Sequence, residues 1–208
     1  MDYQTLYLVR HAESALSGKY CGSTDAPLSI KGFKQAKKVA QVFNRIPLDI
    51  CYFSDLKRAR QTIQYFNPKT SSVKTSYLKS RELREIHFGD WEAYSFAQVS
   101  SQWPELYRRW LKSPATAQIP SGESFPAFLS RVKAFSEKLA KNSAKHVAVV
   151  AHAGSLSALT MLLLKKPLTQ FWKWIPPNAS ISTLKRALNG KASKFKMVRM
   201  KDCGHLDQ

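Results

Sequence analysis

Two histidines of this chain stand in the same local setting. Arg10 and His11 follow the apolar run Thr5-Leu6-Tyr7-Leu8-Val9, and His152 follows Val147-Ala148-Val149-Val150-Ala151. Short apolar runs of this kind read as buried strands, so both imidazoles are expected at strand carboxyl ends, where open α/β sheets bind ligands. Small residues come next, Ala12 after the first and Ala153-Gly154 after the second. They leave backbone N–H groups accessible to an anion at a helix start.

The elements that must position this pair can be read around it. Residues 4–9 and Asp49-Ile50-Cys51-Tyr52-Phe53 suit buried strands, and between them Phe33, Ala36, Val39, Ala40 and Phe43 repeat at helical spacing, which makes a β-α-β unit. Ala59, Ile63 and Phe66 mark a short second helix. Phe128, Leu129, Val132, Phe135 and Leu139 mark a longer one that opens after Pro120-Ser121-Gly122-Glu123-Ser124. The strand 147–151 is followed by a helix carrying Leu156, Leu159, Leu162 and Leu163, and residues 180–184 and 195–200 read as two edge strands joined near Asn189-Gly190. The alternation predicts a three-layer α/β/α sandwich with a mostly parallel central sheet. From about 91 to 122 the pattern changes to Trp91, Tyr94, Phe96, Trp103, Tyr107 and Trp110 among polar residues, punctuated by Pro104, Pro114 and Pro120. This reads as a small helical, cap-like insertion in a single domain spanning 1–208. Its aromatics are expected against the sheet edge, with pocket capping by one or two of them as the other reading.

Composition bounds the functional classes. A chain of 208 residues with 44% hydrophobic residues can bury a core without disulfides. Cys21, Cys51 and Cys203 are odd in number and far apart, with no spacing suggesting zinc or a redox pair, and read as reduced thiols in a cytoplasmic protein. No apolar run approaches a membrane span, and no secretory signal is legible. The 33 Lys and Arg against 14 Asp and Glu give a net charge of +19, a field that would draw in phosphate esters or nucleic acid alike. The basic runs, Lys31 to Lys38 and Lys185 to Lys201, lack the interleaved aromatics of single-strand binding. Nucleic acid is therefore not the expected partner. Asn178-Ala179-Ser180 matches the glycosylation pattern, which is common by chance.

Five blocks in order resemble the histidine phosphatase superfamily, which includes phosphoglycerate mutases and small phosphatases. They are Leu8-Val9-Arg10-His11-Ala12-Glu13-Ser14; Asp25-Ala26-Pro27-Leu28-Ser29 with Gly32; Ser54-Asp55-Leu56-Lys57-Arg58-Ala59-Arg60-Gln61-Thr62; Leu83-Arg84-Glu85-Ile86-His87-Phe88-Gly89-Asp90-Trp91-Glu92; and Ala151-His152-Ala153-Gly154. The resemblance implies a phosphomonoester hydrolase working through phosphohistidine, with no metal and no cofactor. Its chemistry suits these residue types. Phosphoryl transfer is catalysed chiefly by positioning and electrostatics, and arginine's planar fork binds phosphate oxygens bidentately. Arg10 and Arg58 are thus expected as phosphate clamps, His11 as nucleophile, and His152 as a donor to the equatorial oxygens. Glu85 takes the family's acid position, which requires a carboxyl that protonates the leaving group and later activates water. Glu82, Asp90 and Glu92 fall outside that position, and Glu82 reads as helix-surface or capping charge.

Several residues depart from the family pattern. Ala12 stands where the family usually has Gly, costing roughly 1 kcal/mol or more if the site needs positive φ. Ser17 replaces a phosphate-contacting Asn, His87 a frequent acidic residue, and Ala93 the Gly of Trp-Glu-Gly. The compact length and Tyr20-Cys21-Gly22-Ser23-Thr24-Asp25-Ala26-Pro27-Leu28 are most similar to bacterial α-ribazole-5′-phosphate phosphatases, which act in cobalamin assembly. By that resemblance Ser17, Cys21, Gly22 and Ala153 are expected to bind substrate. The alternatives are a broad-specificity phosphatase, a mutase-type enzyme, or a basic phospho-ligand or nucleic-acid binding protein on the same fold. The chain is expected to act as a monomer or homodimer on a small-molecule phosphate ester.

Overall fold

The computed structural model describes residues 2–68, 74–188 and 194–207. Its strands are β1 (Tyr3–Arg10), β2 (Ile50–Ser54), β3 (Ser76–Ser80), β4 (His146–Ala151), β5 (Ile181–Ala187) and β6 (Lys196–Asp202), in the sheet order β3-β2-β4-β1-β5-β6. β3, β2, β4 and β1 run parallel, β5 is antiparallel to β1, and β6 is antiparallel to β5.

Helices lie on both faces. Alternation along β1 divides the core: Leu6 and Leu8 face one side, packed with α5 (Phe125–Ala140) and α6 (Ala153–Leu164), and Val9 faces the other, packed with α1 (Ile30–Phe43) and α2 (Lys57–Ile63). This is the expected three-layer sandwich with a mostly parallel sheet. Helix α1 buries Gly32, Ala36, Val39, Ala40 and Phe43 and opens on Ser29, whose hydroxyl accepts from the Gly32 amide at 3.0 Å. Helix α5 opens on Ser124, as read from the Pro120–Ser124 punctuation. Helix α6 is apolar on nearly every side because the sheet, α5 and the turn Leu168–Trp174 enclose it.

Two expectations need correction, and one strand was not foreseen. β5 is an inner strand between β1 and β6, so only β6 of that pair is an edge; the turn placed near Asn189-Gly190 lies outside the described residues. β3 carries no buried apolar run, being exposed at four of its five positions, and periodicity could not reveal it. The aromatic insertion forms α3 (Phe96–Gln102) and α4 (Pro104–Lys112), but its rings do not pack on the sheet edge. Trp91 and Trp110 are buried among Tyr20, Phe88, Tyr107, Phe125 and Trp172, next to α5 and the 168–174 turn. Edge-to-face stacking in that buried cluster satisfies large rings better than the solvent-exposed β3 edge would. Among the described residues no helix is long and apolar enough to cross a membrane.

Candidate active site

Pairing between β1 and β4 sets Arg10 opposite Ala151, so the residues that follow emerge side by side. The His11 and His152 rings lie 5.0 Å apart between centroids, and both are buried. Arg58, from the first turn of α2, is wholly buried and reaches between them: its Nε donates toward His11 Nε2 at 3.3 Å and His152 Nδ1 at 3.1 Å. Its neighbours Lys57 and Arg60 are exposed, as expected of surface charge.

The hydrogen bonds define the imidazole tautomers. His11 Nδ1 is 2.7 Å from the Ala12 carbonyl oxygen, which can only accept, so Nδ1 carries the proton and Nε2 presents a lone pair to the site. His152 Nδ1 accepts from Arg58, which leaves Nε2–H to donate to Ser54 Oγ at 2.8 Å. Burial first, then the Arg58 and Arg10 charges, holds His11 well below the ordinary 6.5. His152 is held down in the same way, by burial and then by Arg58. Both rings are therefore neutral at pH 7.

The two arginines differ in what they have left to offer. Arg58 gives Nη1 to the Thr24 carbonyl at 2.8 Å and Nη2 to those of Cys21 and Gly22 at 3.0 and 2.7 Å. A fully buried guanidinium must satisfy its donors, and these carbonyls occupy the fork expected to grip phosphate. Only its Nε edge faces the histidines. Arg10 instead gives Nη1 to the Pro176 carbonyl at 2.7 Å and keeps a buried Nε with no partner among the described residues. Burial lowers its pKa, opposed by Glu85.

Glu85 lies beyond β3 in an extended stretch whose carbonyls are gripped by Arg131, itself paired with Glu123 at 2.7 Å. Its carboxylate accepts the Gly154 amide at 2.8 Å and the Ile86 amide at 3.0 Å. A Cβ at Gly154 would sit 2.5 Å from Glu85 Oε1, so glycine is needed for this approach. The amides expected to be open to an anion are mostly engaged: Ala12 N–H donates to Thr62 Oγ1 at 3.0 Å and Gly154 N–H to Glu85. Ala153 N–H, the first helical amide of α6, has no intrahelical acceptor.

A cavity of about 500 Å³ opens over Arg10, His11 and Glu85, while Arg58 and His152 lie behind His11, off its lining. Arg10, His11, Ser17, Cys21, Glu85 and Ala153 line it, and its outer wall is Tyr20, Phe88, Phe96, Tyr107, Trp110 and Trp172. Three of these rings, Phe96, Tyr107 and Trp110, come from the insertion and share the lining with His11. Gly22 is not on the lining: its amide goes to Glu92 and its carbonyl to Arg58. Cys21, whose thiol pKa is raised by burial, also gives its carbonyl to Arg58.

Some site residues escaped the sequence reading. Ser54 orients His152, and Asn178, a cavity-lining residue, donates Nδ2–H to the His11 carbonyl at 3.2 Å. The only signal at Asn178 was the glycosylation-like triplet. Glu92, placed by the sequence only outside the acid position, accepts from the amides of Gly22, Ser23, Thr24 and Phe88 and from Thr24 Oγ1. Ala12 is not among the described residues with positive φ, whereas Ala93 has φ 65°. The backbone cost expected at the first glycine replacement falls at the second.

Comparison with known proteins agrees with this geometry. The family model for the histidine phosphatase superfamily (branch 1) matches residues 6–200. Phosphoserine phosphatase 1 of Hydrogenobacter thermophilus is 37% identical over 86% of this chain and 85% of its own length. The adenosylcobalamin/alpha-ribazole phosphatase of Salmonella typhimurium is 34% identical over 80% of this chain and 83% of its own. The crystal structure of a putative alpha-ribazole-5′-P phosphatase from Escherichia coli superposes with TM-score 0.80 at 27% identity, covering 95% of this chain and 97% of that one. With the motif residues gathered at two adjacent strand ends and the match running nearly end to end, this chain belongs to the histidine phosphatase superfamily.

Proposed function

We propose that this chain is a metal-independent phosphomonoester hydrolase in which His11 Nε2 receives the phosphoryl group. The observation that carries the reading is the His11 tautomer: with Nδ1–H donated to the Ala12 carbonyl, the neutral Nε2 of this cavity-lining residue carries the lone pair, where it accepts from Arg58 Nε at 3.3 Å beside His152. Attack forms the Nε2–P bond and breaks the ester P–O bond, and the carboxylic acid of Glu85 gives its proton to the leaving oxygen. Glu85, now a carboxylate, takes a proton from water as that water attacks phosphorus. The P–N bond breaks, inorganic phosphate departs and Glu85 is protonated again. Arg10 Nε and Ala153 N–H are the open donors for the phosphoryl oxygens, and Arg58 Nε–H joins them when a phosphoryl oxygen replaces the imidazole nitrogens it now serves. His152 joins them once an arriving phosphate, countering the two arginines, favours its protonated form. The scheme draws on no metal or cofactor, and the three unpaired cysteines fit a cytoplasmic enzyme.

The leaving group we propose is the nucleoside-like body of α-ribazole 5′-phosphate. A planar, largely uncharged group matches a wall of Tyr20, Phe88, Phe96, Tyr107, Trp110 and Trp172. Phosphoserine is the second reading, favoured by the 37% identity to a phosphoserine phosphatase. Against it, Glu85 is the one carboxylate on the described lining, which leaves an ammonium group no other acidic partner. The test is kcat/KM in EDTA for α-ribazole 5′-phosphate, phosphoserine and 3-phosphoglycerate. The first is expected to lead. A leading phosphoserine would replace the substrate, and loss of all turnover in EDTA would contradict metal independence.

A further inference from the structure

Neither Arg58 nor Glu92 forms an ion pair among the described residues, although Arg58 is fully buried and Glu92 is partly so. The two charges face each other across the same peptide groups. The peptide joining Cys21 to Gly22 turns its carbonyl to Arg58 Nη2 at 3.0 Å and its N–H to Glu92 Oε2 at 3.0 Å. The next, joining Gly22 to Ser23, does the same at 2.7 and 2.9 Å. Thr24 adds its amide and hydroxyl to Glu92 and its carbonyl to Arg58. Because C=O and N–H point opposite ways across a trans peptide, both dipoles run from cation to carboxylate. Glu92 is thus the counter-charge of Arg58 at one peptide's remove. A Cβ at Gly22 would come within 2.5 Å of Glu92 Oε1, so the stack is closed to a larger residue. Phe88 N–H also donates to Glu92, tying the aromatic wall to the same anchor.

We propose that Glu92, which does not line the cavity, is a positioning residue for phosphoryl transfer: through the 21–24 peptides it fixes Arg58 Nε between His11 and His152. The inference rests on the phosphohistidine reading above. Its reach extends to the nucleophile, because Arg58 is one of the charges that keep His11 neutral. The groups around His11 are Arg10 on its own strand, Arg58 from α2, His152 from the β4–α6 junction and Glu85 from the stretch after β3. Of these, Arg58 is the one the Glu92 stack controls.

Glu92→Gln keeps the shape, removes the charge and sets an NH₂ against backbone amides. With a phenyl phosphate substrate, kcat is expected to fall roughly tenfold or more while KM changes less than about threefold, as for loss of a geometry-dependent contribution. The acid limb of kcat/KM moves to higher pH, since a slack Arg58 depresses His11 less. A purely structural role would lower Tm without moving that limb. Thr24→Val removes a single hydroxyl bond and gives a smaller change in the same direction, which decides the matter if the first variant fails to fold. Native kcat and an unmoved limb in the folded variants would overturn the inference while leaving the parent reading intact. Absence of acid-labile phosphate on the native enzyme would overturn the reading and the inference with it.

Discussion

At the scale of single residues, the site depends on keeping imidazoles uncharged next to two arginines. Burial and those cations hold His11 below 6.5, and in the proposed mechanism neutral Nε2 is the attacking form. Activity therefore falls only as pH drops through the folded-state value, and the acid limb of kcat/KM is expected below 6.5; a limb above 6.5 would contradict the tautomer argument. The same shift has a stability consequence. An unfolded histidine takes up a proton near 6.5 that folded His11 and His152 refuse, so their contribution is complete above 6.5 and is lost as pH falls below it, measurable as Tm against pH. Ala93 makes a separate, local prediction. With φ at 65° its Cβ costs about 1 kcal/mol, so Ala93→Gly should raise Tm by about 2–4 °C, whereas Ala12→Gly should give no such gain.

At the scale of elements, the carboxyl ends of β1 and β4 supply the two histidines, and the first turns of α2 and α6 supply Arg58 and the Gly154 amide. Gly154 links helix to acid. In Gly154→Ala the added Cβ, 2.5 Å from Glu85 Oε1, must displace the carboxyl. Displacement on this scale is expected to lower kcat about tenfold to a hundredfold with KM nearly unchanged; a native kcat would show that Glu85 is not held through this contact. These contacts also explain what was readable beforehand. The histidines, Arg58 and Glu85 sit in local motifs and at the ends of apolar runs, so type and spacing exposed them. Ser54 and Glu92 stand in those same motifs, but their roles lie with partners 98 and about 70 residues away in sequence, as does that of Asn178 with one 167 away, and spacing does not reveal such partners. β3 was hidden because an exposed edge strand has no apolar period. The insertion's aromatics were visible, but whether they faced the sheet edge or the cavity depends on where α5 and the 168–174 turn stand.

At the scale of the whole molecule, the net charge of +19 surrounds a cavity whose inner end is cationic. Long-range attraction speeds the encounter with a phosphate dianion and leaves the buried chemical step alone. Raising salt from about 0.02 to 0.5 M is therefore expected to lower kcat/KM several-fold at constant kcat. Salt-insensitive kcat/KM would show the charge to be unconnected with substrate capture. In the proposed mechanism charge, sheet and cavity all serve one event, the transfer of phosphorus to a histidine nitrogen. The most direct measurement is rapid mixing with a phosphomonoester, an alkaline quench and mass analysis of the peptide containing His11. The native protein should carry one acid-labile phosphoryl group on His11, and His11→Ala should carry none and turn over no substrate. Phosphate trapped on another residue, or full turnover by His11→Ala, would contradict the account.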